Sequence, residues 1–127
     1  MTARKVLVAD NEIHIVQVVA IKFRNNGFEV ITSDNAREAF ELTCRQKPDV
    51  IVTGLEMSDT SGLELIENLR NHPATADIDV VLLTARDFTV EDEQMSDLGI
   101  SVCLPKPFSP RELLQTVNEV LKQHATP

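Results

Sequence analysis

Five short apolar runs, each followed by a stretch with helical spacing, constrain the fold of this chain more than any other feature. The runs are 6–9 (Val-Leu-Val-Ala), 28–31 (Phe-Glu-Val-Ile), 50–53 (Val-Ile-Val-Thr), 80–83 (Val-Val-Leu-Leu) and 100–104 (Ile-Ser-Val-Cys-Leu). Their length and apolar character suit strands buried within a sheet. After them, apolar residues recur at helical intervals: Ile13, Val16, Ala20 and Phe23; Ala36, Ala39, Phe40 and Thr43; Leu63, Ile66 and Leu69; Met95 and Leu98; Leu113, Leu114, Val117, Val120 and Leu121. Strand, helix and parallel strand join by right-handed crossovers, so the pattern predicts an α/β fold with a doubly wound, five-stranded parallel sheet and helices on both faces. A (β/α)₈ barrel needs about 200 residues or more. The 127 residues here therefore read as a single domain over 1–127.

Local punctuation agrees with this division. Asn25-Asn26-Gly27 and Gly99 offer left-handed stops to the first and fourth helices. Capping boxes are expected at Ser61-x-x-Glu64, Thr89-x-x-Asp92 and Ser109-Pro110-x-Glu112, the last with proline where a missing N–H costs nothing. The fourth helix has the thinnest apolar stripe.

Charge narrows the function. Twelve Lys and Arg against twenty Asp and Glu give a net charge of −8, a field that repels nucleic acid backbones and anionic lipid surfaces. No run reaches the ~18 apolar residues of a membrane span, so the expected location is the cytoplasm, with no direct nucleic acid or membrane partner. Cys44 and Cys103 show no paired spacing and read as reduced thiols. His14, His72 and His124 lack a second histidine at ligand spacing.

In a doubly wound sheet the functional crevice lies beyond the carboxyl ends of the strands, where strand order reverses. The residues to read are Asp10, Asn11 and Glu12; Gly54 to Asp59; Thr84 and Ala85; and Lys106 and Pro107. Along its whole length the chain resembles the receiver domain of two-component response regulators. The resemblance is carried by the opening run ending Asp10-Asn11-Glu12, by Pro48-Asp49, by Gly62, by Leu83-Thr84-Ala85 and by Lys106-Pro107-Phe108. It implies a flavodoxin-like sheet of order 2-1-3-4-5 and a pocket that holds Mg²⁺ and takes a phosphoryl group on an aspartate. That chemistry needs cations, because a carboxylate must attack a phosphorus already surrounded by negative oxygens.

Carried over residue by residue, the resemblance matches Asp10 to the first acid, Thr84 to the switch hydroxyl and Lys106 to the pocket lysine. It puts Gly54 at the position of the phosphoacceptor aspartate. Asn11 replaces the second acid, Ser58 the loop proline, and Cys103 the aromatic switch residue. Glu56 matches a position that serves mainly through its backbone carbonyl. Mg²⁺ binding is thus expected to be weak at best, resting on Asp10, with no resident cofactor. Without a carboxylate at 54, Lys106 is expected to turn to Asp10 or to carbonyls near Gly54. The Lys106-Pro107 bond is expected to be cis.

These readings predict a degenerate receiver, not an enzyme, that binds a signalling partner such as a histidine kinase or an effector domain and is capable of forming a homodimer. The alternatives are phosphorylation on a substitute acid (Asp59, Glu56 or Asp10), or a small ligand in the crevice. Against the latter, Asp10-Asn11-Glu12 is no glycine-rich phosphate loop.

Overall fold

Strands β1 (Lys5–Ala9), β2 (Glu29–Ser33), β3 (Val50–Gly54), β4 (Asp79–Thr84) and β5 (Ile100–Pro105) pair in parallel in the order β2-β1-β3-β4-β5. The structure, a computed structural model, describes residues 4–85 and 91–125. Helices α1 (Ile13–Arg24), α2 (Ala36–Gln46), α3 (Gly62–Arg70), α4 (Asp92–Leu98) and α5 (Pro110–Ala125) alternate with the strands, giving the α/β class, strand order and helix number expected.

Alternation along the strands divides the core into two layers. Val6, Val8, Val50, Val52, Val81 and Leu83 pack with α1 and α5 through Val16, Val19, Phe23, Leu113, Val117 and Val120. Leu7, Ala9, Ile51, Val80 and Leu82 face the other way, onto Ala36 and Ala39 of α2 and Leu65, Ile66 and Leu69 of α3. The β4–β5 register shifts between Val80 and Val81, so that Val80 faces Ile100 while Val81 faces Val102, and Ser101 is the extra residue. The bulge reverses the alternation in β5, which puts Cys103 in the same layer as Ile100 and Met95.

Caps largely follow the sequence. Ser61 Oγ accepts from the Glu64 N–H at 3.1 Å, and Ser109 Oγ from the Glu112 N–H at 3.0 Å. Gly99 closes α4 at φ 64° and Gly27 turns the chain after α1 at φ 88°. Helix α4 follows Glu91, which makes no side-chain cap; the capping box expected at Thr89-x-x-Asp92 begins outside the described residues. Lys47 ends α2 in the left-handed region at φ 49° without a glycine.

Three core expectations change. Ile13 is 52% exposed, and Val19 takes its place facing the sheet. Leu65, outside the expected stripe, is buried while Leu63 is only partly so. Strand β2 lies at an edge with only Ser33 fully buried; Phe28 just before it packs on Phe23, ring centroids 5.0 Å apart. No residue of α4 is fully buried. The end of α4 is instead clamped by Arg70, whose guanidinium donates to the carbonyls of Leu98 (2.7 Å), Gly99 (3.1 Å) and Ala76 (2.8 Å). Such bonds satisfy the orphan carbonyls at a helix end. No helix among the described residues is long and apolar enough to cross a membrane.

Candidate functional site

Strand order reverses at β1, flanked by β2 and β3, and the carboxyl ends of β1, β3, β4 and β5 deliver the site residues to one crevice. Asp10, just past β1, is fully buried. Its backbone N–H donates to the Ser33 carbonyl at 3.2 Å and its Oδ1 accepts the Glu12 N–H at 2.9 Å. From the opposite side, past β5, the Lys106 N–H donates to the Thr84 carbonyl at 2.8 Å, and the Lys106-Pro107 bond is cis, as expected.

The Lys106 side chain reaches back into the crevice. Its Nζ lies 2.9 Å from Asp10 Oδ2 and donates to Glu12 Oε1 at 2.7 Å. At 2.9 Å the Asp10 Oδ2–Lys106 Nζ contact is a close ion pair, and it is the one polar contact of Oδ2 among the described residues. Burial disfavours the charged ammonium, yet the hydrogen bond to Glu12 and the Asp10 carboxylate outweigh that cost and hold the Lys106 pKa above its ordinary value. Sequence reasoning placed Glu12 at the crevice but gave it no role; its only signal was its position directly after β1.

Gly54 ends β3, buried and paired with Leu83 of β4. Thr84 is buried at the end of β4. Asn11 and Glu56 are exposed and rim a hollow of about 110 Å³ shared with Glu12, Leu55, Ala85 and Lys106. The donor set is poor for magnesium: one Asp10 oxygen holds a backbone N–H and the other faces an ammonium, Asn11 is neutral, and residue 54 offers no side-chain ligand atom. Among the described residues no group of three or more His, Cys, Asp or Glu is placed to hold a metal. Cys103 is half-buried with its Sγ 3.8 Å from Met95 Sδ, and burial pushes its thiol pKa up, which disfavours a reactive thiolate.

The β3–α3 loop is tied to the β2–α2 turn. Ser58 donates both its N–H (3.3 Å) and its hydroxyl (3.0 Å) to the Asp34 carbonyl, the first of which a proline cannot do. The Asp59 carboxylate accepts the N–H groups of Ala36 (2.7 Å) and Arg37 (3.0 Å) at the start of α2. Asp59 is thus engaged in capping. These two backbone hydrogen bonds, Ala36 first, outweigh desolvation and lower its pKa. A carboxylate depressed in the folded state contributes stability that is present above its unfolded pKa and is lost as pH falls through the folded one. Asp59→Asn is therefore expected to lower the urea midpoint at neutral pH, with the gap to the parent closing below about pH 4. A gap that stays constant to low pH would refute the capping role.

Beside the crevice, α1 carries an apolar face. Ile13, Val18 and Ile21 are each half or more exposed. Val18, His14 and Ile15 also border an apolar hollow of about 250 Å³ completed by Pro107, Phe108 and Pro110. In a chain of net charge −8, α1 has no acidic residue and ends in Lys22 and Arg24.

Comparison with known proteins agrees with this fold. The family described as the response regulator receiver domain matches residues 6–118. The phosphate regulon transcriptional regulatory protein PhoB of Pseudomonas aeruginosa is 31% identical over 123 residues, 97% of this chain and 54% of its own length. The alkaline phosphatase synthesis transcriptional regulatory protein PhoP of Bacillus subtilis is 31% identical over 94% of this chain and 49% of its own. The chain thus spans about half the length of these curated relatives. Among solved structures, the chemotaxis response regulator CheY4 of Vibrio cholerae superposes with a TM-score of 0.85 at 29% identity, covering 94% of this chain and 99% of that one. The Francisella response regulator 1452 receiver domain gives 0.84 at 33% identity, over 95% and 98%.

Proposed function

Because this chain belongs to the response regulator receiver domain family of two-component signalling, we propose that it works as a receiver independent of aspartyl phosphorylation, through protein–protein contact. The observation that carries this reading is Gly54: the residue at the end of β3 has no side chain to accept a phosphoryl group. The pocket lysine supports it, since Lys106 already has two carboxylate neighbours in Asp10 and Glu12 and is not waiting for an anion.

Receivers interact with histidine kinases and effector domains, and a partner of that kind is the one proposed here. The apolar face of α1 and the adjoining hollow favour contact with protein over catalysis. The chain is not proposed to be an enzyme, and cation binding is proposed to be weak at best. The substitute acceptors are less favoured, because Asp59 caps α2, Asp10 is fully buried and Glu56 is on the rim. A small ligand is disfavoured by a hollow of only about 110 Å³, well below the ~300 Å³ of ordinary ligand pockets.

Incubation with acetyl phosphate and Mg²⁺, read by intact-protein mass spectrometry, is expected to leave the chain unmodified. A gain of one phosphoryl group mapped to any crevice residue would overturn the proposal.

A further inference from the structure

The large apolar side chains left exposed among the described residues are Ile13, Val18 and Ile21, and all three belong to α1. Spacings of four and three residues align His14, Val18 and Ile21 in one stripe along the helix. Ile15, on its flank, opens into the apolar hollow formed with Pro107, Phe108 and Pro110. Charge decides what can cover this stripe. The chain carries a net charge of −8, and α2, α3, α4 and α5 each have an acidic first turn, so two copies repel one another across most approaches. Alone among the five helices, α1 contains no Asp or Glu. It is the face at which two such acidic copies meet with least repulsion. The stripe is also self-complementary about its middle: Glu12, whose side chain is 56% exposed, lies six residues before Val18, and the basic last turn with Lys22 and Arg24 lies four to six residues after it.

We infer that α1 is a self-association surface, on which two copies of this chain pack antiparallel about a two-fold axis at Val18. The inference rests on the reading of α1 as a protein-contact face and goes beyond it by naming a second copy as the occupant. About such an axis Val18 meets Val18, Ile21 of each copy packs at the His14 end of the other, and Lys22 comes beside the other copy's Glu12. Each contact is made twice, as an isologous interface requires. Antiparallel pairing also sets the negative end of each helix dipole beside the positive end of the other. A helix of 12 residues is about 18 Å long, and one such face with its flank falls short of the ~800 Å² per partner that a stable interface buries. The dimer is therefore weak, with a Kd of roughly 100 μM.

Sedimentation velocity on the whole chain, from about 10 to 500 μM, tests this. The mean mass is expected to rise with concentration from the 14.1 kDa of one chain toward that of two. Val18→Glu and Ile21→Lys are each expected to weaken association about tenfold or more, because either charge would be buried unpaired at the centre of the interface. Both positions are half or more exposed in the single chain, so the urea midpoints are expected to stay near that of the parent and to show that the variants fold. Asn118→Glu, on the exposed side of α5, is expected to leave association unchanged. Lys22→Met separates the two orientations: it weakens an antiparallel pair by removing the contact with Glu12, whereas in a parallel pair it relieves repulsion between two lysines and strengthens association. A monomer at every concentration, which would leave the face to a different protein, overturns the inference. So does a dimer that withstands Val18→Glu, is lost with Asn118→Glu or tightens with Lys22→Met. None of these results touches the absence of an acceptor at position 54, whereas phosphorylation of the unmodified chain would overturn the proposed function and leave the dimer standing.

Discussion

Gly62→Ala is expected to unfold this protein or bring it close to unfolding. A Cβ at position 62 would lie 1.9 Å from the Gly54 carbonyl oxygen, 3.0 Å from its carbon and 3.2 Å from Thr53 Oγ1. Two of these atoms are backbone of the central strand, held in the ladder to β4, and the third belongs to a buried hydroxyl that donates to the same carbonyl at 3.0 Å. Residue 62 cannot retreat either, because its N–H donates to the Leu55 carbonyl at 2.6 Å. Either α3 lifts from the sheet, exposing Leu65, Ile66 and Leu69, or β3 shifts. Overpacking of this kind costs about 3 kcal/mol or more, a large part of the ~5–15 kcal/mol that holds an ordinary domain together. Urea unfolding followed by circular dichroism measures it, and a loss under about 1 kcal/mol would refute the close approach.

Lys106→Met should be the most damaging change within the crevice. Methionine keeps much of the length and removes the charge, leaving the fully buried Asp10 without its cation. Breaking a buried pair from one side costs about 3–5 kcal/mol. The Lys106 side chain is 21% exposed, so water offsets part of the loss and about 2–3 kcal/mol is expected. Glu12→Gln serves as the contrast. Its carboxylate is 56% exposed, and screening by solvent reduces its share to below about 1 kcal/mol. The two variants, compared by denaturation at neutral pH, rank the carboxylates: equal losses would mean that Lys106 is held from the solvent side and that Asp10 contributes little.

The second prediction concerns residues whose presence at the crevice was readable from the chain, although their full set of contacts was not; Gly62 was legible only as a motif position. Asp10, Gly54, Thr84 and Lys106 were placed there by the rule that strand ends line the crevice, and the lack of a carboxylate at 54 left Lys106 to turn either to Asp10 or to carbonyls near Gly54, of which the structure shows the first. Glu12 was missed as a second partner because its side chain is free to take several directions until Lys106 approaches across the sheet. Asp59 was read as a crevice acid and proved to be a cap for α2; a carboxylate in a loop carries no local sign of which helix end, 23 residues away in sequence, will lie beside it.

The chain by itself determined what depends on neighbours within a few residues: the alternation of strand and helix, the caps at Ser61 and Ser109, the turns at Gly27 and Gly99, and hence a parallel sheet covered on both faces. Tertiary structure alone decided what depends on distant segments meeting. It left Ile13 exposed while Val19 faced the core, turned Cys103 toward Met95 through the bulge at Ser101, and pressed the start of α3 onto the Gly54 carbonyl. It also brought the Lys106 ammonium to the Asp10 carboxylate. The physical reason is range: periodicity and capping act along one element, whereas steric exclusion and charge pairing act between atoms that only the finished sheet brings within 4 Å.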